Sequence, residues 1–528
     1  MENRTKILIA SFLTLVAAGV GFVTRGAVAP AWATMGIGPT EFGQIMGFGF
    51  LGFGVVILAG GVFVELAGYK KTLLIAVILH FISALMLLAA PSYYESCLEA
   101  DPATATDKVV ALLTYSVLIF SVCNGLYEGV INPLIGQLYP ENQTHYLNIL
   151  HAGWPGGMVL GGLIAACFQG QDAWLGEIPW HYALSSYSLV LILITLMVIK
   201  QPFPETVAGG GKVPFGVLFS CFLSIPFLVL IILHGLIGYM ELGVDSWQTR
   251  LMENLVDNSV VVLMYTSVLM FILRFCAGPI VHKLNPIGLL LLSSVIAVAG
   301  LYWLSIPTDQ VFLLFAAATL YSLGKAFLWP TMLAVAGERY PQSGAVAMGA
   351  LGAAGMITVG AIGTTMIGAQ QSNEMATYLK SNSSETYTRY EDGSGSFLGY
   401  EFLKLDPAKE QAAREEDLEK ALVDIPAEKQ KDIEDNFTAD SIALIDAFSH
   451  GGRQALRKTA IIPMLMAIGF LALFLYYKSQ GGYKVITLDE GSDESDNYPS
   501  EDSGSEEPAA EEAAADEGGD TDEAAGEE

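Results

Sequence analysis

Charged side chains are scarce in this chain: Asp, Glu, Lys and Arg make up 15% of 528 residues, against about 25% in soluble domains. With 52% hydrophobic residues, that scarcity excludes a soluble globular protein. Basic clusters are missing as well, since 26 Lys and Arg face 54 Asp and Glu. A nucleic-acid partner is thereby excluded, because neutralising phosphates requires grouped cations. Cysteine is sparse too. The five, at 97, 123, 167, 221 and 276, show no disulfide or metal-ligand spacing, so no metal or cofactor is expected. Nucleophile-base pairs and phosphate loops are also lacking. The run Gly209-Gly-Gly211 follows no strand, and no enzyme activity is expected.

The acid excess is local. Residues 489–528 hold 18 acids and no Lys or Arg, and residues 370–452 hold 18 acids against 8 bases, which leaves the remainder neutral. What that remainder contains is long apolar runs. A bilayer core of ~30 Å needs about 20 apolar residues per helix. Twelve such runs lie near 7–30, 44–66, 72–90, 109–138, 145–168, 181–199, 219–248, 258–281, 287–306, 311–336, 345–368 and 459–477. The first ends in Ala27-Val28-Ala29, a small-x-small pattern that imitates a signal-peptide cleavage site, but Pro30 follows it and the run is long enough to span. Lys and Arg are concentrated in alternate short loops, at Arg4, Lys6, Lys70, Lys71, Lys200, Lys212, Lys283, Arg339, Lys478 and Lys484, with only Lys108 and Arg250 opposite. That bias predicts cytoplasmic termini, and a plasma (inner) membrane location is expected.

An internal repeat organises these runs. Gly21 and Gly26 recur 217 residues later as Gly238 and Gly243, and Gly61 recurs at the same offset as Gly278, with Arg274 beside it. Glu128-Gly-Val-Ile-Asn132-Pro133 falls on Lys325-Ala-Phe-Leu-Trp329-Pro330 at an offset of 197, and glycines 153, 156 and 161 meet 352, 355 and 360 at 199. Four ordered matches predict an all-α membrane protein of twelve transmembrane helices in two pseudo-symmetric six-helix bundles. The expected division is a first bundle at 1–200, a cytoplasmic linker at 201–214, and a second bundle at 215–369 and 453–480. An extracytoplasmic insert at 370–452 separates the last two helices, and a disordered acidic cytoplasmic tail follows at 484–528. The insert reads as a small cap or as a loop, the loop being preferred. Asp406-Pro407 should start a helix there, Asp as the cap and Pro in the first turn.

The run Gly61-Val-Phe-Val-Glu65-Leu-Ala-Gly68-Tyr-Lys70-Lys71, the twelve spans and the six-plus-six repeat together resemble the major facilitator superfamily over about residues 5–369 and 455–480. The resemblance implies that Glu65, Gly68, Lys70 and Lys71 belong to a gate that latches the bundles on the cytoplasmic side, with Gly61 and, in the second half, Arg274 and Gly278 at the matching positions. Two small residues permit a tight turn, and an acid at a helix terminus can pair with cations across the bundle interface.

Ionisable groups inside a membrane are functional candidates, because each costs about 2.5–3.5 kcal/mol at the bilayer centre. The fourth span carries Ser121, Asn124, Glu128 and Asn132 on one stripe, the seventh His234, Glu241 and Asp245, and the tenth Tyr321, Lys325 and Trp329. Arg25 adds a cation from the first span, either in contact with substrate or salt-bridged to Glu241. Asp245 is expected at the water boundary, and His151 either in the site or as a core histidine. By the superfamily resemblance, these spans line one central cavity. Amides and aromatic faces there suit a sugar, since amides bond hydroxyls in both directions.

Gly125-Leu-Tyr-Glu128-Gly-Val-Ile-Asn132-Pro133, Pro140-Glu141 and Leu147-Asn148-Ile-Leu-His151 are similar to the fucose:proton symporter family of sugar permeases. That resemblance implies a coupling carboxylate at Glu128, with Asn132 and Asn148 near the sugar. The family's first-span acid is replaced around Arg25-Gly26, which leaves proton coupling, sodium coupling and facilitated diffusion open. The expected function is cation-coupled uptake of a sugar, by proton or sodium, through a chain expected to be monomeric. Glu128 and Lys325, at equivalent positions of the two halves, form the expected switching pair, with Arg25 and Glu241 as further charges. Asn124, Asn132, Asn148, His151, Tyr321 and Trp329 are the expected substrate contacts. An organic-anion or sugar-acid carrier is the alternative, motivated by Arg25 and Lys325. A drug exporter is less well supported, because Gly153-Trp-Pro155-Gly156-Gly157 departs from the antiporter motif. A transporter-like sensor or scaffold that signals through the acidic tail is the alternative of another class.

Overall fold

The computed structural model describes residues 2–28, 31–32, 35–37, 39–169, 173–251, 260–308, 310–423 and 427–488. The expected disordered tail lies outside the described residues from residue 489 on, and so do Ala29 and Pro30. Eleven helices are long and apolar enough to cross a membrane, and the shorter apolar helix ending at Phe275 makes a twelfth. In the first half these are α1 (Glu2–Gly26), α2 (Pro39–Ala67), α3 (Tyr69–Ala100), α4 (Ala105–Leu138), α5 (Pro140–Phe168) and α6 (Trp180–Val198). In the second half they are α7 (Ile225–Gln248), α8 (Val260–Phe275), α9 (Ala277–Leu304), α10 (Val311–Arg339) and α11 (Pro341–Asn382), and the last span follows an insert. The insert holds α12 (Ser384–Tyr390), β1 (Glu391–Phe397), β2 (Tyr400–Leu405), α13 (Pro407–Arg414) and α14 (Leu418–Ala421). Helix α15 (Gln430–Ser479) then carries the chain back through the bundle.

Packing repeats between the halves. Helix α1 lies on α5 as α7 lies on α11, and α4 packs between α2 and α3 as α10 packs between α8 and α9. The halves meet along α2 with α11 and α5 with α8, which are again equivalent pairs. Small residues permit these approaches: a Cβ on Gly153 or Gly157 would lie 2.4 or 2.3 Å from backbone oxygens of α1. Close backbone contact is how helices associate where no hydrophobic drive separates protein from lipid.

Several expected boundaries move. The seventh span begins at Ile225, with Pro226 in its first turn, and not at 219, because Phe215–Leu223 forms a separate 3-10 helix. The span also contains a π turn at Tyr239–Gly243. Helix α9 starts before Asn285, whose φ of 54° bends it ahead of Pro286.

The insert is a folded cap, which corrects the preferred loop reading. Its own core comprises Met375, Leu379, Tyr387, Tyr390, Leu405, Leu444 and Phe448. Strands β1 and β2 pair antiparallel, with Phe397 opposite Tyr400. Asp406 caps α13 as expected, accepting from the N–H groups of Ala408 (3.1 Å) and Lys409 (3.2 Å). A loop reading failed because the helical pattern of α11 and α15 continues past the apolar runs, so the two helices pair beyond them. Asp440 is buried there, accepting from Arg389 Nε (2.7 Å), Arg389 Nη2 (2.6 Å) and Thr386 Oγ1 (2.7 Å).

At the opposite end, where helix α1 starts and helix α15 ends, the halves are tied by hydrogen bonds. Glu65 at the end of α2 is buried; its Oε1 accepts from Ala345 N–H (3.1 Å) and its Oε2 from Ala208 N–H (3.0 Å) in the inter-half linker. Ala345 opens a helical segment of α11, where free N–H groups and the helix dipole favour an anion. Glu65 therefore finds backbone amides where cations were expected. Gly344 has φ +49°, and a Cβ there would sit 2.5 Å from Glu65 Oε1, so glycine is required twice over. Gly68, at φ +85°, turns α2 into α3, while Lys70 Nζ donates to Gln201 O (2.9 Å) and Lys71 is exposed. In the second half Gly278 N–H donates to His145 Nδ1 of α5 (3.1 Å). Further ties run from Thr144 Oγ1 to Glu338 Oε1 (2.6 Å) and from Asn148 Nδ2 to Thr331 Oγ1 (3.2 Å). The chain after α15 adds Tyr483 OH to Glu338 Oε2 (2.7 Å), and burial beside that carboxylate pushes the phenol well above its usual range.

Two outcomes follow from these contacts. Glu65→Ala removes charge-assisted bonds worth about 1.5–3 kcal/mol, so the termini-side ends of the halves should separate in a larger fraction of molecules. Pulsed electron resonance between spin labels at Lys71 and Gln342 should then record a new, longer distance. Asp440→Ala removes the close bonds of Arg389, leaving it the exposed Asp432 at 3.9 Å, and should cost the cap about 3 kcal/mol locally. Hydrogen exchange over α12 should rise about a hundredfold, with α4 and α7 unchanged.

Candidate functional site

One cavity of about 700 Å³ lies between the halves, within the usual range for small-molecule sites of about 300–1,000 Å³. It runs from Glu128, His151, Arg274, Trp329 and Met356 toward Ala27, Phe42, Ala165 and Ser246 at the ends of their helices nearer the cap. The latch described above closes the other end.

Helix α4 supplies the polar wall expected of it, since Ser121, Asn124 and Glu128 all line the cavity. Glu128 is 7% exposed. Its Oε2 accepts from Asn132 Nδ2 (2.5 Å), and His151 Nε2 donates to Asn132 Oδ1 (2.8 Å) while standing 4.0 Å from the carboxylate. Asn132 thus positions both groups from behind the wall. Asn124 donates to Phe120 O (2.7 Å) on its own helix.

Charges in the second half are arranged differently from the sequence expectation. Lys325 does not meet Glu128; it is fully buried and paired with Asp245 of α7. Asp245 is therefore inside and not at the water boundary, because α7 starts late and its π turn adds a residue without the usual rise. Arg274 is not a loop residue of the gate. It lies in the last turn of α8 and lines the cavity. Its Nη2 donates to Glu241 Oε1 (3.0 Å), its Nε to Ala326 O (2.8 Å) and its Nη1 to His151 O (2.6 Å). Both carbonyls lie where a helix is interrupted, α5 after His151 and α10 after Lys325. Interrupted helices at the midplane are where transporters of inverted or repeated design hold their ligands.

Arg25 forms no bridge to Glu241, whose carboxylate is engaged by Arg274. It is 7% exposed, and its guanidinium carbon lies 3.8 Å from the centre of the Phe120 ring. Its Nε and Nη2 have no hydrogen-bond partner among the described residues. Of the expected substrate contacts, Asn124, His151 and Trp329 reach the cavity. Asn132 and the Asn148 amide nitrogen are committed to bonds with neighbouring helices or their own, neither residue lines the cavity, and Tyr321 donates to Met240 O (3.1 Å). His234 packs against Trp329 with ring centres 4.4 Å apart. Unforeseen lining residues are the aromatic ones, Phe22, Phe42, Phe50, Phe53, Phe120 and Trp154. Positions 42, 46, 49, 50 and 53 of α2 follow helical spacing, so that stripe was readable in the sequence.

No curated protein matches the chain in sequence. Among solved structures, the proton:xylose symporter XylE is similar with a TM-score of 0.60 at 15% identity, over 72% of this chain and 90% of that one. The E. coli fucose:proton symporter FucP gives 0.51 at 15%, over 68% and 90%. The human organic anion transporter TETRAN gives 0.52 at 14%, over 88% and 99%. At such identities these likenesses speak for the fold. The family model of the Major Facilitator Superfamily matches residues 10–364. With twelve apolar helices in two six-helix bundles around one cavity, this integral membrane protein belongs to the major facilitator superfamily, whose members are transporters and not enzymes.

Proposed function

We propose that the chain is a proton-coupled secondary transporter of a small organic solute, with Glu128 as the group that carries the coupled proton. The observation that carries this reading is the state of Glu128. It lines the cavity, it is nearly enclosed, and no Lys or Arg pairs with it among the described residues. A carboxylate so placed is costly when ionised, whereas the protonated form keeps its bond to Asn132. Solute and proton would enter the same cavity while Glu65 and its partners hold the termini side shut. Loss of that latch, with closure of the cap side, would present both to the opposite compartment.

Two substrate readings keep support. The sugar reading rests on Asn124 and Trp329 at the cavity and on the sugar symporters among the similar structures. The organic-anion reading rests on Arg25. The Lys and Arg bias of the loops supports cytoplasmic termini and a cap on the far side of the membrane; we take the membrane to be the plasma membrane and the direction to be uptake.

An imposed gradient of ~1 pH unit sustains about tenfold accumulation per coupled proton. In proteoliposomes, Glu128→Gln should abolish this accumulation while leaving exchange of labelled for unlabelled solute intact. Accumulation that survives the substitution, or that a sodium gradient alone drives, would contradict the proposal.

A further inference from the structure

Ionisable groups reach the cavity region from α1, α4, α5, α7, α8 and α10: Arg25, Glu128, His151, Glu241 with Asp245, Arg274 and Lys325. Two ion pairs are closed within the second half, Arg274 with Glu241 and Lys325 with Asp245. Arg274 also gives its Nε–H and an Nη1–H to two carbonyls. Among the described residues one cation and one carboxylate are left over, and both belong to the first half. Arg25 has two nitrogens without partners although it is more than nine-tenths buried. An unpaired guanidinium in such a place is unfavourable, and its planar fork matches a carboxylate with two parallel N–H···O bonds. Phe120 covers one face of the guanidinium at 3.8 Å, while Arg25 itself borders the cavity. Around it the wall is aromatic, with Phe22, Phe42, Phe50 and Trp154, and these rings accept the C–H faces of a compact body.

We propose that the substrate is a small organic monoanion whose carboxylate docks on Arg25 against Phe120, and that one proton on Glu128 travels with it, so that net transport moves no charge. The proton part rests on the reading of Glu128 given above, whereas the anion site does not. With Glu128 ionised, the three cations and three carboxylates among the described residues balance. Binding an anion alone would leave the enclosure with one negative charge in excess, and protonating Glu128 restores the balance. Anion and proton each favour the other's binding by the same factor, as linkage requires.

The test uses the full chain. Fluorescence of the purified protein, which has Trp154 and Trp329 at the cavity, is titrated with D-glucuronate, D-gluconate and benzoate, and with the uncharged D-glucose and benzyl alcohol. At least one carboxylate should bind at least tenfold tighter than its neutral counterpart. Arg25→Gln should weaken that binding about 10- to 100-fold, and Arg25→Lys should recover part of it, which separates a lost charge from a misfolded site. Equal binding of neutral and anionic members, an indifferent Arg25→Gln, or no bound carboxylate would overturn the anion site. In proteoliposomes, uptake of the bound carboxylate should follow a pH gradient, give no current on a solid-supported membrane and ignore an imposed potential. A current would overturn the one-to-one count. Binding that depends on Arg25 together with uptake blind to pH would sink the coupling role of Glu128 and leave the anion site standing.

Discussion

A single guanidinium holds the middle of this molecule together. Within a bilayer every backbone polar group needs a partner from the protein or from a water-filled cavity, and two helices here are interrupted at the level of the cavity, α5 after His151 and α10 after Lys325. Arg274 meets a carbonyl at each interruption and neutralises its charge on Glu241. Those bonds connect α5 of the first half with α7, α8 and α10 of the second. Without them the interruptions would leave carbonyls unsatisfied, and the cavity would have no fixed floor.

That constraint sorts the remaining charges. Because Glu241 and Asp245 are each committed to a cation of their own half, the second half presents a neutral surface to the cavity. The first half keeps an open cation and an open carboxylate, Arg25 and Glu128. A rigid neutral wall facing a wall with titratable and ligand-seeking groups is an arrangement in which binding alters the interface between two bodies that already have separate packing. The latch at the termini end is of the same kind. Among the described residues the Glu65 carboxylate accepts only from amides, one in the other half and one in the linker, so its strength depends on geometry, and a small rotation of one half breaks the bond to Ala345.

Much of the architecture was legible in the sequence. Twelve apolar runs, the glycine offsets of 217 and 199, the glycine-acid loop motif and the cap at Asp406 all carry their signal locally, through span length, helical period or turn chemistry. The polar stripe of α4 was legible for the same reason. Partner choice was not. A helical wheel gives the face of a residue but neither its depth nor the rotation of its neighbour. Lys325 therefore matched Glu128 by repeat position, while its real partner, Asp245, hid behind a late helix start and a π turn. Arg274 fell to the loop motif because the repeat alignment placed it beside Gly278, and nothing local marks an arginine that fills breaks in two other helices. The cap was misjudged because its core is assembled from residues as distant as Met375 and Phe448.

The central claim is one cavity open to one side at a time, with its present opening toward the cap. Single cysteines at Ser121 and Asn124, placed in a background free of the native five, can be challenged with a membrane-impermeant thiol reagent in sealed vesicles of both orientations. The account predicts fast labelling from the cap side and slow labelling from the termini side. Equal rates from both sides, as a channel would give, or none from either, would contradict it.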